Sequence, residues 1–202
     1  DISDIITRRS LKIFKKLNNH TDEISCLSIN ENLQVLGTAS FDLYVNIYTM
    51  IDFKLINSVQ VNLIPHVLTF CSSPLPSFIV IQESLKAAAF TINGTPIEKI
   101  QNIPQTEGIV ITSFCTFRDH KAKEYIVLGF SNGVIEIRRL PSLAIQEVFQ
   151  DPKTSQMKMS LKVAISPDAQ FIVAHGNGEL YIVTNIDALN HNASNNLANL
   201  GF

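Results

Sequence analysis

The feature that most constrains this chain is a hairpin that repeats at a fixed spacing. "YIVLGFSNGVIEIRRL" (Tyr125 to Leu140) places two apolar, alternating runs on either side of Asn132-Gly133. That pair readily supplies the two positive-φ residues of a tight type I′ turn, so the segment reads as a β-hairpin. "FIVAHGNGELYIV" (Phe171 to Val183) repeats the plan, with Asn177 lying 45 residues after Asn132. "VLGTASFDLYVNIY" (Val35 to Tyr48) is a third copy, its Asp42 lying 90 residues before Asn132. A weaker copy, "FIVIQESLKAAAF" (Phe78 to Phe90), has Ser84 at the turn.

Each hairpin follows another alternating strand: "EISCLSI", "HVLTFCSS", "IVITSFCTF" and "SLKVAIS". The first three are followed by one more: "FKLINSV", "TPIEKIQ" and "LAIQEVF". Four strands in each period of 45 residues is the sheet-per-repeat arithmetic of a β-propeller blade. The fold class expected is therefore all-β, a propeller with about four four-stranded blades. The boundaries expected are a blade at 20–62, a degenerate blade at 63–103, a blade at 104–150 and a last blade at 151–186. Residues 187–202 form an Asn-rich tail without strand periodicity. Residues 1–19 read as the end of an incomplete blade, because "RRSLKI" near the start parallels "RRLPSLAI" at Arg138 to Ile145. The chain then begins mid-blade and is expected to be a piece of a larger ring.

Composition narrows the function classes. Hydrophobic residues make up 46% of the 202, enough for a packed core, and no apolar run reaches the roughly 20 residues that span a bilayer. The formal net charge of −2 gives no global pull towards nucleic acid. Cys26, Cys71 and Cys115 sit in apolar strand contexts and read as small buried thiols in a reducing compartment. No close Cys or His pair offers a metal site, and His66, His175 and His191 are scattered. Neither GxSxG, GxxxxGK[ST], GxGxxG nor HExxH occurs. Asn93 and Asn192 match the N-glycosylation pattern, which is common by chance.

The stretch from His20 to Tyr48, "HTDEISCLSINENLQVLGTASFDLYVNIY", resembles a WD repeat. In that family a His at the blade entrance, a Ser or Thr on the second strand, an Asp at the tight turn and a Trp on the next strand form a hydrogen-bonded cluster. The resemblance implies these roles for His20, Ser40 and Asp42, with Tyr48 and Thr49 at the Trp-Asp positions. The third and fourth blades carry Arg138-Arg139 and Val183-Thr184 there, which implies loss of the cluster and reliance on packing. "NHTDEISCLSIN", "SSPLPSFIVI", "FTINGTPI" and "EYIVLGFSNGVIEIRRLPSL" are also similar to the C-terminal propeller of BEACH-domain proteins, the beige and neurobeachin group. Such propellers close with seven blades. This resemblance implies a non-catalytic protein–protein interaction scaffold in membrane and vesicle traffic or autophagy. It implies a cytoplasmic protein, peripheral to endomembranes and associated with them indirectly through the larger protein.

Several residues invite sharper readings. His20, Ser40 and Asp42 have the residue types of a hydrolytic triad, but the repeat position explains them as a structural network. Arg8, Arg9, Lys12, Lys15 and Lys16 form the densest basic run, either a contact for anionic lipid or an acidic partner, or a solvated strand face on which Lys deters edge pairing. "RDHKAKE" (Arg118 to Glu124) is a charged rim loop in which His120 and Lys121 are candidate partner contacts. The expectation is docking of other proteins on rim loops, with no nucleic acid, no small-molecule substrate and no cofactor. Two competitors are a WD-repeat subunit of another assembly, a ligase adaptor or coat component, and a propeller hydrolase or lactonase with a channel-bound metal.

Overall fold

Alternation of apolar and polar residues with period two gives each strand one buried face. Strands buried on both faces need near-continuous apolar runs. The computed structural model describes residues 13–184, except 99, 105–106, 120, 151–160, 167–168 and 177. Its strands form four antiparallel sheets, each an up-and-down meander in chain order. The first comprises β1 (Ile24–Asn30), β2 (Val35–Ser40), β3 (Tyr44–Thr49) and β4 (Leu55–Gln60). The second comprises β5 (Pro65–Cys71), β6 (Ser77–Gln82) and β7 (Ala87–Thr91). The third comprises β8 (Ile111–Arg118), β9 (Glu124–Phe130), β10 (Ile135–Arg139) and β11 (Ala144–Phe149). The fourth comprises β12 (Lys162–Ile165), β13 (Phe171–Gly176) and β14 (Glu179–Thr184). The arrangement is all-β and propeller-like, with β1 lying beside β5 and β8 beside β12.

One sheet is smaller than the sequence suggests. "TPIEKIQ" does not form a fourth strand on β7. It meets it through one bridge, Phe90 with Pro96, flanked by Thr91 N–H to Thr95 O and Ile97 N–H to Ala89 O. Pro96 has no N–H to extend a ladder, and the chain turns away to bond Gln101 N–H to Ser142 O in the β10–β11 turn of the third sheet. The fourth sheet has three strands among the described residues, and residues 13–19 form no strand.

The turn at Asn132-Gly133 also differs from the type I′ expectation. Gly133 alone has positive φ, at 80°. Gly133 N–H bonds Phe130 O at 3.0 Å, and Phe130 N–H bonds Val134 O at 2.9 Å. This is a three-residue loop, a type I turn closed by a left-handed glycine. The same plan recurs at Asp42, where Leu43 takes the left-handed position with φ 65°.

Sheets pack face to face, and three cores lie between successive sheets. Val35, Ala39, Val45 and Ile47 of the first sheet meet Leu68, Phe70, Phe78 and Val80 of the second. Ile79 and Ile81 point the other way, into a core shared with Ile126, Leu128 and Phe130. Val127, Ile135 and Ile137 meet Leu161, Ile172 and Ala174 beyond. All six residues of β6 are therefore buried, which explains its unbroken "FIVI". At Gly37 the sheets approach so closely that a Cβ would stand 2.8 Å from the Phe70 ring and 3.0 Å from Leu68.

Candidate functional site

The tight turn between β2 and β3 gathers the polar residues that the sequence singles out. Asp42 sits at the turn and accepts the backbone N–H of Thr21 and of Tyr44, each at 2.9 Å. His20 enters from the segment before β1 and places Nδ1 2.9 Å from Asp42 Oδ2. Nε2 then faces the Thr38 hydroxyl at 2.8 Å and the Asn46 amide nitrogen at 3.1 Å. With Nδ1–H donated to the carboxylate, Nε2 is the acceptor for both. Tyr48 is 1% exposed, donates to Asn19 Oδ1 at 3.3 Å and lies against Thr38 and Asn46. Burial raises the Tyr48 hydroxyl pKa, partly offset by those two neighbours. Burial also acts to raise Asp42, but the N–H groups of Thr21 and Tyr44 and the His20 ring outweigh it and hold the carboxyl below its ordinary value.

The structure thus joins His20, Asp42 and Tyr48 through Thr38 and Asn46, which the sequence reading did not name. Ser40 lies one step away. Its hydroxyl accepts Asp42 N–H at 3.1 Å and donates to Asp22 O at 3.2 Å. Thr38 and Ser40, two residues apart on one strand, share a face of the sheet; Thr38 meets the imidazole, while Ser40 is engaged by Asp42 N–H and Asp22 O. The period-two spacing Thr38, Ser40 was the signal available in the sequence. Thr38, His20 and Asp42 have the connectivity of a hydroxyl–imidazole–carboxylate relay. Yet Thr38 is only 7% exposed and Ser40 fully buried, so neither presents a nucleophile to solvent.

Ninety residues on, the equivalent positions carry different chemistry. Glu136 stands where Asn46 does, and Arg138 where Tyr48 does. Arg138 is fully buried, with Nε 2.7 Å from Glu136 Oε2, Nη1 2.9 Å from Leu143 O and Nη2 unpartnered. Packing alone was the expectation for this sheet; a buried ion pair replaces the polar network instead.

Polar ties also run between sheets. Glu124, at the start of β9, accepts Ser72 N–H of the second sheet at 2.5 Å and pairs with Arg118 at 2.5 Å. Burial raises its pKa, but Arg118, the Cys71 thiol and Ser72 N–H together hold the carboxyl below its ordinary value. Ser72 in turn shares hydrogen bonds with Asn30 of the first sheet, at 3.1 and 3.3 Å. The three cysteines are free, and burial is the first cause in pushing Cys26 and Cys115 up to about 11 and Cys71 to about 12, well away from reactive thiolates.

Of the candidate contact residues, Arg8, Arg9, Lys12 and His120 lie outside the described residues. Lys15 Nζ bonds Asp52 O at 2.5 Å on the β3–β4 turn, and Lys16 is exposed. Lys121 is exposed on the β8–β9 loop, which Asp119 clamps by accepting N–H from Lys121 and Lys123 at 2.9 and 2.8 Å and the Tyr125 hydroxyl at 3.1 Å. The chain is fixed there while its lysine side chains remain in water. A half-open groove of about 510 Å³ lies by the β6–β7 turn, lined by Asn62, Gln82, Lys86, Asn102 and apolar neighbours, with Lys86 the only ionisable group among the described residues that line it. Among the described residues, no three His, Cys, Asp or Glu side chains converge as metal ligands, and no helix is long and apolar enough to cross a membrane.

No protein-family model matches the chain, and no curated protein does. Solved structures do. One is the computationally designed Ika8 protein, to which the chain is similar with a TM-score of 0.59 at 12% identity. The match covers 84% of this chain and 48% of the designed one, so this chain spans about half that length. At such identity the likeness is one of fold.

Proposed function

We propose that the chain is a WD-repeat propeller portion of a BEACH-type protein and acts as a non-catalytic docking scaffold in membrane traffic or autophagy. The observation that carries this reading is the His20–Asp42–Thr38 network. Groups capable of hydrolytic chemistry are instead bonded to each other and to the turn backbone, beneath the surface. What remains accessible is the rim. The Asp119-clamped loop offers Lys121 and Lys123 in a fixed frame, so a partner with an acidic surface loses little ordering entropy when it docks. Proteins from the cytoplasmic side of endomembranes are the partners this reading supplies.

The test combines binding with turnover. Lys121→Glu with Lys123→Glu should weaken binding of an acidic protein partner at least tenfold and leave the melting temperature unchanged. Ester and lactone panels should give no turnover. Turnover that Asp42→Asn abolished would replace the scaffold reading with the hydrolase one.

A further inference from the structure

The second sheet has an edge that its own chain leaves partly unpaired. Thr91 N–H bonds Thr95 O at 2.9 Å and Ile97 N–H bonds Ala89 O at 2.8 Å, so Ala89 and Thr91 turn peptide groups away from β6. Gln82 N–H bonds Lys86 O at 2.7 Å, which places Lys86 on the β6 side of the same alternation. Ala87 therefore presents its N–H and C=O at the outer edge, where no described residue pairs with either. The groove of about 510 Å³ takes in this edge. Ala87 and Ala88 line it together with Asn102, Ile103 and Pro104, from the segment that follows the single bridge. An unpaired strand edge beside a cleft of ligand size is a template for another extended chain.

Two side chains give the groove a preference of charge. Gln82 is 6% exposed, and its Oε1 accepts Asn62 N–H at 3.0 Å and Leu63 N–H at 2.9 Å. With the oxygen so held, the amide NH₂ is the end left to the groove, and it has no acceptor among the described residues. Lys86 stands opposite Gln82 on the same face of the sheet, exposed and in no ion pair among the described residues. We propose that the groove takes an extended, acidic peptide segment of a partner protein, which adds a strand to β7. One peptide residue exchanges both backbone hydrogen bonds with Ala87. The residue next to it in sequence falls on the Gln82 and Lys86 face, and its carboxylate accepts from Gln82 Nε2 and Lys86 Nζ. The side chain opposite Ala87 falls on the other face, where Ala87 packs with Leu85 and Ile103, so that residue is apolar. Main-chain bonds supply the affinity, and the alternating side chains select the sequence.

Fluorescence anisotropy of a labelled, end-capped pentapeptide, Thr-Val-Glu-Val-Thr, titrated with the 202-residue chain tests this site. The probe should saturate below ~300 μM protein. N-methylation of both valines, which removes the N–H that bonds Ala87 O, should weaken binding at least tenfold. Lys86→Glu, on an exposed side chain, should do the same with an unchanged circular dichroism spectrum. A Thr-Val-Lys-Val-Thr probe should recover that loss on the Lys86→Glu variant. Absence of binding to the wild-type chain, equal binding of the N-methylated probe, or a loss that the lysine probe does not recover overturns the proposal. Displacement of the probe by an equal concentration of glutarate also overturns it, and makes the groove a site for small carboxylates. The paired Lys121→Glu and Lys123→Glu substitution should leave probe binding unchanged, because neither residue lines the groove, so failure here is distinct from failure of the scaffold reading.

Discussion

Replacing Asp42 by Ala removes the acceptor of three hydrogen bonds: His20 Nδ1–H, Thr21 N–H and Tyr44 N–H. Hydrogen bonds to a charged group contribute about 1.5–3 kcal/mol each, but water can replace the carboxylate at the exposed Thr21 and Tyr44 amides. The main loss is at His20, whose side chain is 7% exposed and whose Nδ1–H would be stranded. A total of about 2–4 kcal/mol follows, which for a chain of this size is a fall in Tm of roughly 5–15 °C. Thermal unfolding at pH 7, followed by circular dichroism, reads this directly. Asp42→Asn, which keeps the shape and loses the charge, should fall between wild type and Asp42→Ala. The effect has a defined pH dependence. The folded-state pKa of Asp42 is lowered from 3.8, so its stabilisation is complete above that unfolded value and is lost as pH falls through the folded one. The gap between wild type and Asp42→Asn should therefore be constant near neutrality and close below about pH 4. An Asp42→Ala protein melting within 1–2 °C of wild type would refute the network as a source of stability.

Two further substitutions test the packing argument. Arg138→Met should cost about 3 kcal/mol, since it leaves Glu136, with a side chain 13% exposed, without its cation. Adding Glu136→Gln should recover most of that in a urea-denaturation double-mutant cycle; a double variant no more stable than Arg138→Met contradicts the assigned pair. Gly37→Ala should cost about 1–3 kcal/mol, because the added Cβ meets the Phe70 ring at 2.8 Å. The companion Phe70→Leu should soften that penalty, and additive losses in the same assay would show that the contact is not responsible.

Much of the architecture was legible from local pattern. Period-two alternation and a recurrence of 45 residues located the strand meanders, and the unbroken apolar run of β6 announced burial on both faces. Turn chemistry was only half legible. Asn-Gly marks a hairpin, but loop length depends on the register of the flanking strands, which gave three residues at Gly133 rather than two. The fourth strand expected from "TPIEKIQ" failed because alternation records what a strand could bury, not whether its own N–H groups can extend a ladder; Pro96 and the Gln101 N–H bond to Ser142 O decided otherwise.

The polar site divides along the same line. The resemblance to a WD repeat is what singled out His20, Asp42 and Tyr48, and the repeat located the turn and flanking strands that carry them. Thr38 in place of Ser40, the Asn46 contact and the pairing of Arg138 with Glu136 in the third sheet were decided by tertiary structure. The physical reason is that a hydrogen bond between residues about twenty positions apart depends on strand register and on which side of the sheet each residue faces. The sequence by itself determined that strands would form, where they turn and which faces are apolar. Packing decided which polar groups meet and which apolar faces find a partner, as where Ile79 and Ile81 of the second sheet meet Ile126 and Leu128 of the third.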